Sequence, residues 1–281
     1  MEFLLILGSL LGLIGAFGAA GGGGSKDDAP DEDNTPPTVP EEPDMPGTDE
    51  DEDDDLEEVE EEGFTPAVDI RIMVADDLPQ ELIDAASYAE QMLEGFFMSA
   101  EDFGSQRVLN IDLRQGDIDG EGGTAALTSV SGIRQGEPTE DATITFDRDD
   151  IELMRTYGTM DEVMEHEMIH ALGFGITWDT ENLVGRDEDG NPVFTGTAAT
   201  SSFQEFSGDE DVPAGVPLDG SEGHWHADDV PGDVMNATVY DGAAISDITL
   251  ASLADIGIPI APSAYQESKE GMLLEEELMV A

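Results

Sequence analysis

The sequence of 281 residues has no cysteine and few basic residues, with 9 Lys and Arg against 67 Asp and Glu. The lack of cysteine excludes disulfides, thiolate nucleophiles and zinc sites with cysteine ligands, so any metal site must use His, Asp or Glu. A formal net charge of −58 excludes electrostatic binding to nucleic-acid phosphates or to anionic lipid headgroups as the main activity. Such an acidic surface is more typical of high solubility, or of adaptation to salt, than of a cationic ligand.

One long run without charge lies at the start of the chain, at Phe3–Ala20. Its 18 residues are close to the shortest length that spans a bilayer. The small residues Gly18 and Ala20 suit a signal-peptidase site, although no Lys or Arg precedes the run. The sequence therefore predicts that 1–20 is either a signal peptide or an N-terminal membrane anchor. The protein is then expected outside the cytoplasm, secreted or anchored at the cell surface.

A glycine run followed by an acidic, proline-containing stretch occupies residues 21–63. Within 26–62, 20 residues are acidic and six are proline, and almost none is apolar. Burial of so little apolar surface cannot offset the entropy lost on ordering, so we predict a disordered linker. One domain is expected at 64–262, followed by a tail at 263–281.

Hydrophobic periodicity in this domain predicts a sheet followed by helices. Four strands are predicted, at Val68–Val74, Val108–Leu113, Gly123–Val130 and Ala142–Phe146. Three helices are predicted, at Leu78–Phe97, Thr159–Leu172 and Ile248–Ile256. Thr159 and Glu162 match a capping box at the start of the second helix, and Gly173 ends that helix. Residues 173–247 have few periodic signals and are expected to be rich in loops, which gives an α+β fold class.

The clearest motif is His166-Glu-Met-Ile-His170, inside the second predicted helix. Residues four apart lie one turn above each other, so both imidazoles project from one face and can share a zinc ion. Glu167 is then placed to contact a water on the metal rather than the metal itself. The motif predicts that His166 and His170 are metal ligands and that Glu167 is catalytic. The alternative is that the two histidines merely cap or pack.

A zinc ion held by two protein ligands needs a third one from elsewhere in the chain. The remaining histidines are His224 and His226, which lie together in a loop-like segment. One site therefore accounts for all four histidines, and an exposed, unrelated pair is the alternative. Spacing alone does not choose between His224 and His226.

The segment from His166 to Phe174, His-Glu-Met-Ile-His-Ala-Leu-Gly-Phe, resembles the active-site helix of the metzincin metallopeptidases. In the compact form of that motif a third histidine would fall at position 176, where this chain has Ile176. The leishmanolysin-like branch inserts a long segment at this point, and residues 174–223 look like that insertion. The stretch Val216–His226 followed by Asp233-Val-Met resembles the branch's "HW…E-L-M" stretch.

This resemblance implies a metzincin-like fold with a twisted N-terminal sheet lobe, an active-site helix and a loop-rich C-terminal lobe. It implies a zinc-dependent endopeptidase that hydrolyses protein substrates, with one catalytic Zn²⁺ and Glu167 as general base. His224 would be the third ligand, and Met235 would form the Met-turn below the metal. The chain departs from the family in having no cysteine, in having Asp233 where the branch has Glu, and in lacking a Met-x-Tyr after the turn.

The resemblance also implies that an extended peptide binds along a sheet edge before the active-site helix. Gly123–Ser129 is the candidate strand, and an inner strand is the alternative. The implied substrate-binding residues are Thr124, Ala125, Ala126 and Leu127. The expected partner is thus a protein or peptide, with no nucleic acid and with membrane contact only through residues 1–20.

Two acidic loops, Asp117–Glu121 and Asp187–Asn191, carry spaced oxygen ligands, but neither completes an EF-hand pattern. We therefore expect solvated turns, and Ca²⁺ is not the favoured cofactor. The alternative function is a non-catalytic surface or adhesion module that binds zinc or calcium. Glu167 favours the enzyme, because a structural zinc site has no use for a carboxylate beside an open coordination position.

Overall fold

The computed structural model describes residues 64–208 and 215–265. The predicted signal or anchor at 1–20, the predicted linker at 21–63 and nearly all of the predicted tail lie outside these residues. Among the helices that the structure describes, none combines the length and apolar character needed to cross a membrane.

Four strands form a mixed sheet in the first half of the domain. They are β1 (Val68–Val74), β2 (Arg107–Gly116), β3 (Ala126–Ser131) and β4 (Asp141–Asp147). Their spatial order is β1-β2-β4-β3, with β1, β2 and β4 parallel and β3 antiparallel to β4. All four predicted strands are present, but β3 begins at Ala126 rather than at Gly123, so the prediction of strand structure over 123–125 is wrong. β3 lies at one edge of this sheet, and the alternative of an inner strand is also wrong.

Helix α1 (Gln80–Phe96) connects the parallel strands β1 and β2, in agreement with the predicted Leu78–Phe97. Its buried residues recur at intervals of three or four, which is the spacing of one helix face. They are Leu82, Ala85, Ala86, Ala89 and Leu93. A short helix, α2 (Ala100–Phe103), follows and is capped by the Ser99 side chain.

The central helix of the domain is α4 (Met160–Ala171), which follows the short, unpredicted helix α3 (Ile151–Tyr157). Every residue from Val163 to Ala171 is buried, because α4 packs against α1, β3 and β4. The predicted capping box is wrong: Thr159 makes no side-chain cap bond. The Glu162 carboxylate instead accepts a hydrogen bond from the N–H of Gly242, a residue that is distant in sequence.

The second half contains more regular structure than the sequence predicts, so the expectation of a loop-rich region is wrong in part. The elements are α5 (Trp178–Glu181), β5 (Val184–Arg186), β6 (Pro192–Phe194), α6 (Thr197–Ser207), β7 (Val216–Pro217) and α7 (Asp247–Asp255). Strands β5, β6 and β7 form a small antiparallel sheet. Helix α7 matches the predicted Ile248–Ile256, and the Ser246 side chain caps it.

The N-terminus of helix α6 is capped by a residue of α7. The N–H groups of Ala198 and Ala199 each donate a 2.9 Å hydrogen bond to the carboxylate of Asp255. A carboxylate stabilises a helix N-terminus because it faces the free N–H groups and the positive end of the helix dipole. Since Asp255 lies more than 50 residues further along the chain, no local pattern predicts this helix.

Four buried aromatic side chains join the end of α4 to the second half of the domain. Ring centroids of contacting pairs are 4.5–5.8 Å apart among Phe174, Trp178, Phe194 and Trp225. The indole N–H of Trp225 also donates to the hydroxyl of Thr249 at 2.8 Å. Aromatic pairs of this kind contribute about 0.5–1.5 kcal/mol each beyond their burial. The cluster therefore fixes the segment around Trp225 against α4, within a fold of mixed α+β class.

Candidate metal centre

Helix α4 presents His166 and His170 from one face, as the four-residue spacing predicts. Their Nε2 atoms are 2.9 Å apart, and both side chains are buried. Helix α4 ends at Ala171, and Gly173 follows with a φ of 117°, a conformation that favours glycine. The chain therefore leaves the helix axis directly after the second histidine.

His224 completes a group of three histidines. Its Nε2 atom lies 3.2 Å from Nε2 of His170, and its ring stacks on that of His166 with 5.2 Å between centroids. One ring nitrogen from each of the three residues lies within 4.8 Å of the other two. This arrangement of buried nitrogen atoms could hold a metal ion.

A close backbone contact brings His224 to this position. Gly175 has a φ of 70°, and a Cβ atom on it would lie 2.5 Å from the carbonyl oxygen of Gly223. Only a residue without a side chain allows these two segments to approach so closely. Trp225, on the other side of His224, is held by the aromatic cluster.

The structure separates His224 from its neighbour His226. The His226 side chain is 48% exposed, and its Nδ1 atom lies 2.6 Å from a carboxylate oxygen of Asp229. The choice that spacing leaves open is thus resolved by geometry, because His226 lies outside the histidine group.

The Nδ1 atoms on α4 reveal the tautomers of the two rings. Nδ1 of His166 lies 2.7 Å from the carbonyl oxygen of Val234, and Nδ1 of His170 lies 2.9 Å from that of Phe174. A carbonyl oxygen only accepts, so each Nδ1 carries the proton and each neutral ring keeps a lone pair on Nε2. Burial lowers the pKa of His170 to about 3 and places that of His166 well below its ordinary value. Both rings are therefore neutral at neutral pH.

Two polar groups hold the third ring from the opposite side. Nδ1 of His224 lies 3.1 Å from the hydroxyl of Ser221 and 3.6 Å from a carboxylate oxygen of Asp219. A carboxylate or hydroxyl behind a histidine is the usual arrangement that orients a metal-binding imidazole. All three Nε2 atoms thus face one another, while all three Nδ1 atoms have partners behind them.

Glu167 directly follows His166 in α4, and its carboxylate is buried. Its Oε2 atom accepts a 2.5 Å hydrogen bond from the hydroxyl of Thr128, whereas Oε1 has no partner in the structure. Burial raises the pKa of Glu167 to about 8, and the bond from Thr128 opposes that rise. A buried carboxylate oxygen without a protein partner is available to a water or to a ligand.

Sequence reasoning does not identify Thr128. It lies on β3, two residues after Ala126, so it shares that residue's face of the sheet. Its contact with Glu167 joins residues 39 positions apart, and only the packing of α4 on β3 creates it. The one available signal is a threonine in the predicted edge strand, which is too common to be informative.

The four residues predicted to bind substrate divide into two pairs. Ala126 and Leu127 lie in β3 and are in register with Phe146 and Thr145 of β4. Ala125 and Thr124 precede the strand, and both are buried. The N–H and hydroxyl of Thr124 donate to the carboxylate of Asp119, so its polar groups are committed to the loop. A role for these four residues in substrate binding stays a prediction.

Met235 is buried in a turn that lies next to His166. The preceding residue, Val234, supplies the carbonyl oxygen that bonds Nδ1 of His166. The Met235 N–H donates to the buried carboxylate of Asp233, which also accepts hydrogen bonds from Ser246 and Thr249. Burial raises the pKa of Asp233, although these hydrogen bonds oppose the rise. The turn is thereby tied to α7 as well as to α4.

The chain has also been compared with known proteins. No family model matches it, and no curated protein matches its sequence. What the site can do chemically therefore follows from its own residues, which are three converging imidazoles that could hold a metal ion and one buried carboxylate on the helix that carries two of them.

Proposed function

We propose that this protein is a zinc-dependent endopeptidase in which Glu167 is the general base. The observation that carries the proposal is the convergence of ring nitrogens of His166, His170 and His224. The buried Glu167 directly follows the first of these residues in α4. If the metal site were purely structural, the buried Oε1 atom of Glu167 would have no hydrogen-bond partner and no function.

The donor set fits a catalytic zinc ion. Zinc accepts imidazole nitrogens at about 2.0–2.1 Å, so two such nitrogens at a tetrahedral angle lie about 3.3 Å apart. The Nε2 separations of 2.9 Å and 3.2 Å are close to that value. Without a cation the unprotonated nitrogens of His166 and His170 would repel each other. Three histidine ligands leave a fourth position open, as catalytic zinc sites do.

When bound, zinc supplies a Lewis acid for the scissile carbonyl and lowers the pKa of a coordinated water. A cation held by the histidines would favour the ionised form of a nearby carboxylate over its neutral form, so Glu167 would be charged. The ionised Glu167 takes a proton from the attacking water with its free Oε1 atom and then delivers a proton to the leaving amine. The hydroxyl of Thr128 holds the other carboxylate oxygen, which restricts rotation of the carboxylate. The peptide bond is thereby hydrolysed without a covalent intermediate on the protein.

We infer that the substrate is an extended peptide that adds to the edge of the sheet. β3 pairs with β4 on one side only, and an edge strand offers its free N–H and C=O groups to an incoming strand. A peptide on β3 would lie near Glu167, because Thr128 of the same strand contacts that residue. The metzincin resemblance, with Met235 as the Met-turn, also implies a peptide bound along this sheet edge. The predicted export of the chain would bring the enzyme to protein substrates outside the cytoplasm.

The test uses the full-length protein and its Glu167→Gln variant. We expect about one zinc per chain in both proteins and cleavage of casein by the wild type. The kcat/KM of the variant should be about 10²- to 10⁴-fold lower, which is the usual contribution of a general base. Glu188→Gln, the same change at an exposed position, is the matched control and should retain activity. A wild type that binds zinc but cleaves neither casein nor gelatin would favour the non-catalytic module.

A further inference from the structure

A second group of acidic side chains lies where β4 ends. Asp147, the last residue of β4, is buried and accepts hydrogen bonds from four backbone N–H groups. The donors to Oδ2 are Ile118, Asp119 and Gly120, at 2.9–3.2 Å, and the donor to Oδ1 is Asp149 at 3.0 Å. The acidic side chains of the loop Asp117–Glu121 are exposed, as expected for a solvated turn, while its backbone wraps around this buried carboxylate.

Asp150 is fully buried and has an unsatisfied carboxylate oxygen. Its Oδ1 atom accepts a 2.6 Å hydrogen bond from the N–H of Gly122, whereas Oδ2 has no partner. One carboxylate oxygen from each of Asp119, Asp147 and Asp150 lies within 4.8 Å of the other two. Three like charges, two of them buried, thus face one another.

Within the part of the chain that the structure describes, no basic side chain pairs with these three acids. Arg148, which lies between two of the acids in sequence, pairs instead with exposed Asp117 at 2.5 Å. Across residues 64–208 and 215–265, no ion pair involves Asp119, Asp147 or Asp150. Buried charges in proteins are paired or bind metal ions, so the unpaired Oδ2 atom of Asp150 points to a cation.

We propose that Asp119, Asp147 and Asp150 bind a Ca²⁺ ion, at a site separate from the three histidines. The donors are oxygen atoms only, which suits hard cations and not zinc. An irregular loop favours Ca²⁺ over Mg²⁺, because Ca²⁺ accepts variable geometry whereas Mg²⁺ demands a near-ideal octahedron. Each Asp119 oxygen accepts one hydrogen bond and keeps a free lone pair, and its exposed side chain leaves a path for the ion.

The second acidic loop, Asp187–Asn191, is a useful comparison because its hydrogen bonds to Asp187 come from within the loop itself. The Asp187 carboxylate accepts hydrogen bonds from the backbone of Asp189 and from the backbone and side chain of Asn191. Asp187 belongs to no metal-binding group within the described residues. The expected solvated turn is therefore present here, and this loop offers control positions.

The ion would connect two segments that flank the edge of the sheet. Asp119 anchors Thr124 just before β3, and Asp150 immediately precedes α3. Binding would restrain the start of β3, the strand that carries Thr128. We infer that calcium stabilises this edge of the domain independently of the histidine site.

The experiment measures calcium binding to the full-length protein, freed of calcium and held at constant buffered zinc. We expect one saturable Ca²⁺ site above the weak background of the acidic chain, and weaker binding of Mg²⁺, by isothermal titration calorimetry. Saturation should raise the melting temperature by about 5–10 °C. Asp150→Asn should lower the calcium affinity at least about tenfold, whereas Asp189→Asn, with the same charge change at an exposed position, should not.

A crossover in stability distinguishes a cation site from a packing defect. Without calcium, Asp150→Asn should melt at or above the wild type, because it removes one of three repelling charges, and with calcium it should melt below it. Asp119→Asn tests the site at an exposed position if the buried variant fails to fold. Equal calcium binding by wild type and both site variants, or no saturable site, would overturn the proposal. Zinc content, measured in parallel, reports on the histidine group separately.

Discussion

The hydroxyl of Thr128 lies 2.5 Å from Oε2 of Glu167 and 3.0 Å from the carbonyl oxygen of the same residue. Since a hydroxyl has one hydrogen, it can donate to only one of these two acceptors at a time. The contact joins the edge strand β3 to helix α4 at the residue that we propose as general base. A change at position 128 should therefore act on the carboxylate without touching the histidines.

We predict that Thr128→Val lowers kcat/KM by about 10–100-fold and leaves zinc content unchanged. A hydrogen bond to a charged group contributes about 1.5–3 kcal/mol, and its loss frees the carboxylate to rotate. Steady-state cleavage of a fluorogenic peptide, with metal analysis of the same samples, measures both quantities. Thr128→Ser retains the hydroxyl and should restore most of the activity. Full activity in the valine variant would show that the hydroxyl does not position Glu167.

The two neighbouring histidines should respond differently to alanine substitution. His224→Ala should reduce zinc content from about one per chain towards zero, because it removes one of three ligands. His226→Ala should retain zinc and activity, since this side chain is half exposed and bonds to Asp229. Equilibrium dialysis against buffered zinc, followed by elemental analysis, measures the difference. Equal loss of zinc in both variants would contradict the assignment of His224.

Removal of zinc should affect stability as well as cleavage. We expect a zinc-selective chelator to abolish peptide cleavage and to lower the melting temperature by about 5–10 °C, because a ligand that binds only the folded state stabilises it. Added Zn²⁺ should restore both properties, whereas added Ca²⁺ should not restore cleavage. Cleavage that survives complete removal of zinc would contradict the proposed mechanism.

Glu162 gives a pH dependence whose sign follows from its surroundings. Burial raises its pKa, and the negative Asp241 and Asp161 raise it further, although the N–H of Gly242 opposes them. The folded state therefore binds this proton more tightly than the unfolded state does, and ionisation costs stability as the pH rises above about 4. The melting temperature of Glu162→Gln minus that of the wild type should therefore be larger at pH 7 than at pH 4.

The measurement for Glu162 requires thermal unfolding of zinc-free protein at both pH values, so that loss of metal at low pH does not contribute. Glu188→Gln is the control, because this carboxylate is exposed and should show no such dependence. A Glu162→Gln variant that is less stable than wild type at pH 7 and equal at pH 4 would reverse the predicted sign.

Local sequence patterns predict the elements that depend on local periodicity. β1, β2 and β4, the helix α1 and the pair His166 and His170 follow from intervals of two, three or four residues, which a strand or helix converts directly into one face. The third ligand is reached by a different route: the need for one more histidine leaves His224 and His226 open, and the metzincin resemblance implies His224. The proposed calcium site could not be predicted in this way. Asp119 lies in an acidic loop that the sequence shows, but no local pattern connects it with Asp147 and Asp150.

The sequence by itself determined the positions of β1, β2, β4, α1, α4 and α7, the pair of histidines on one helix face, and the small number of residues that could supply a third metal ligand. Only the tertiary structure decided that His224 rather than His226 joins them, that Thr128 contacts Glu167, and that Asp255 starts helix α6. The physical reason is the distance along the sequence between the residues in contact. Backbone geometry relates residues within a few positions of one another, whereas these contacts connect residues that are distant in sequence and meet only when the core packs.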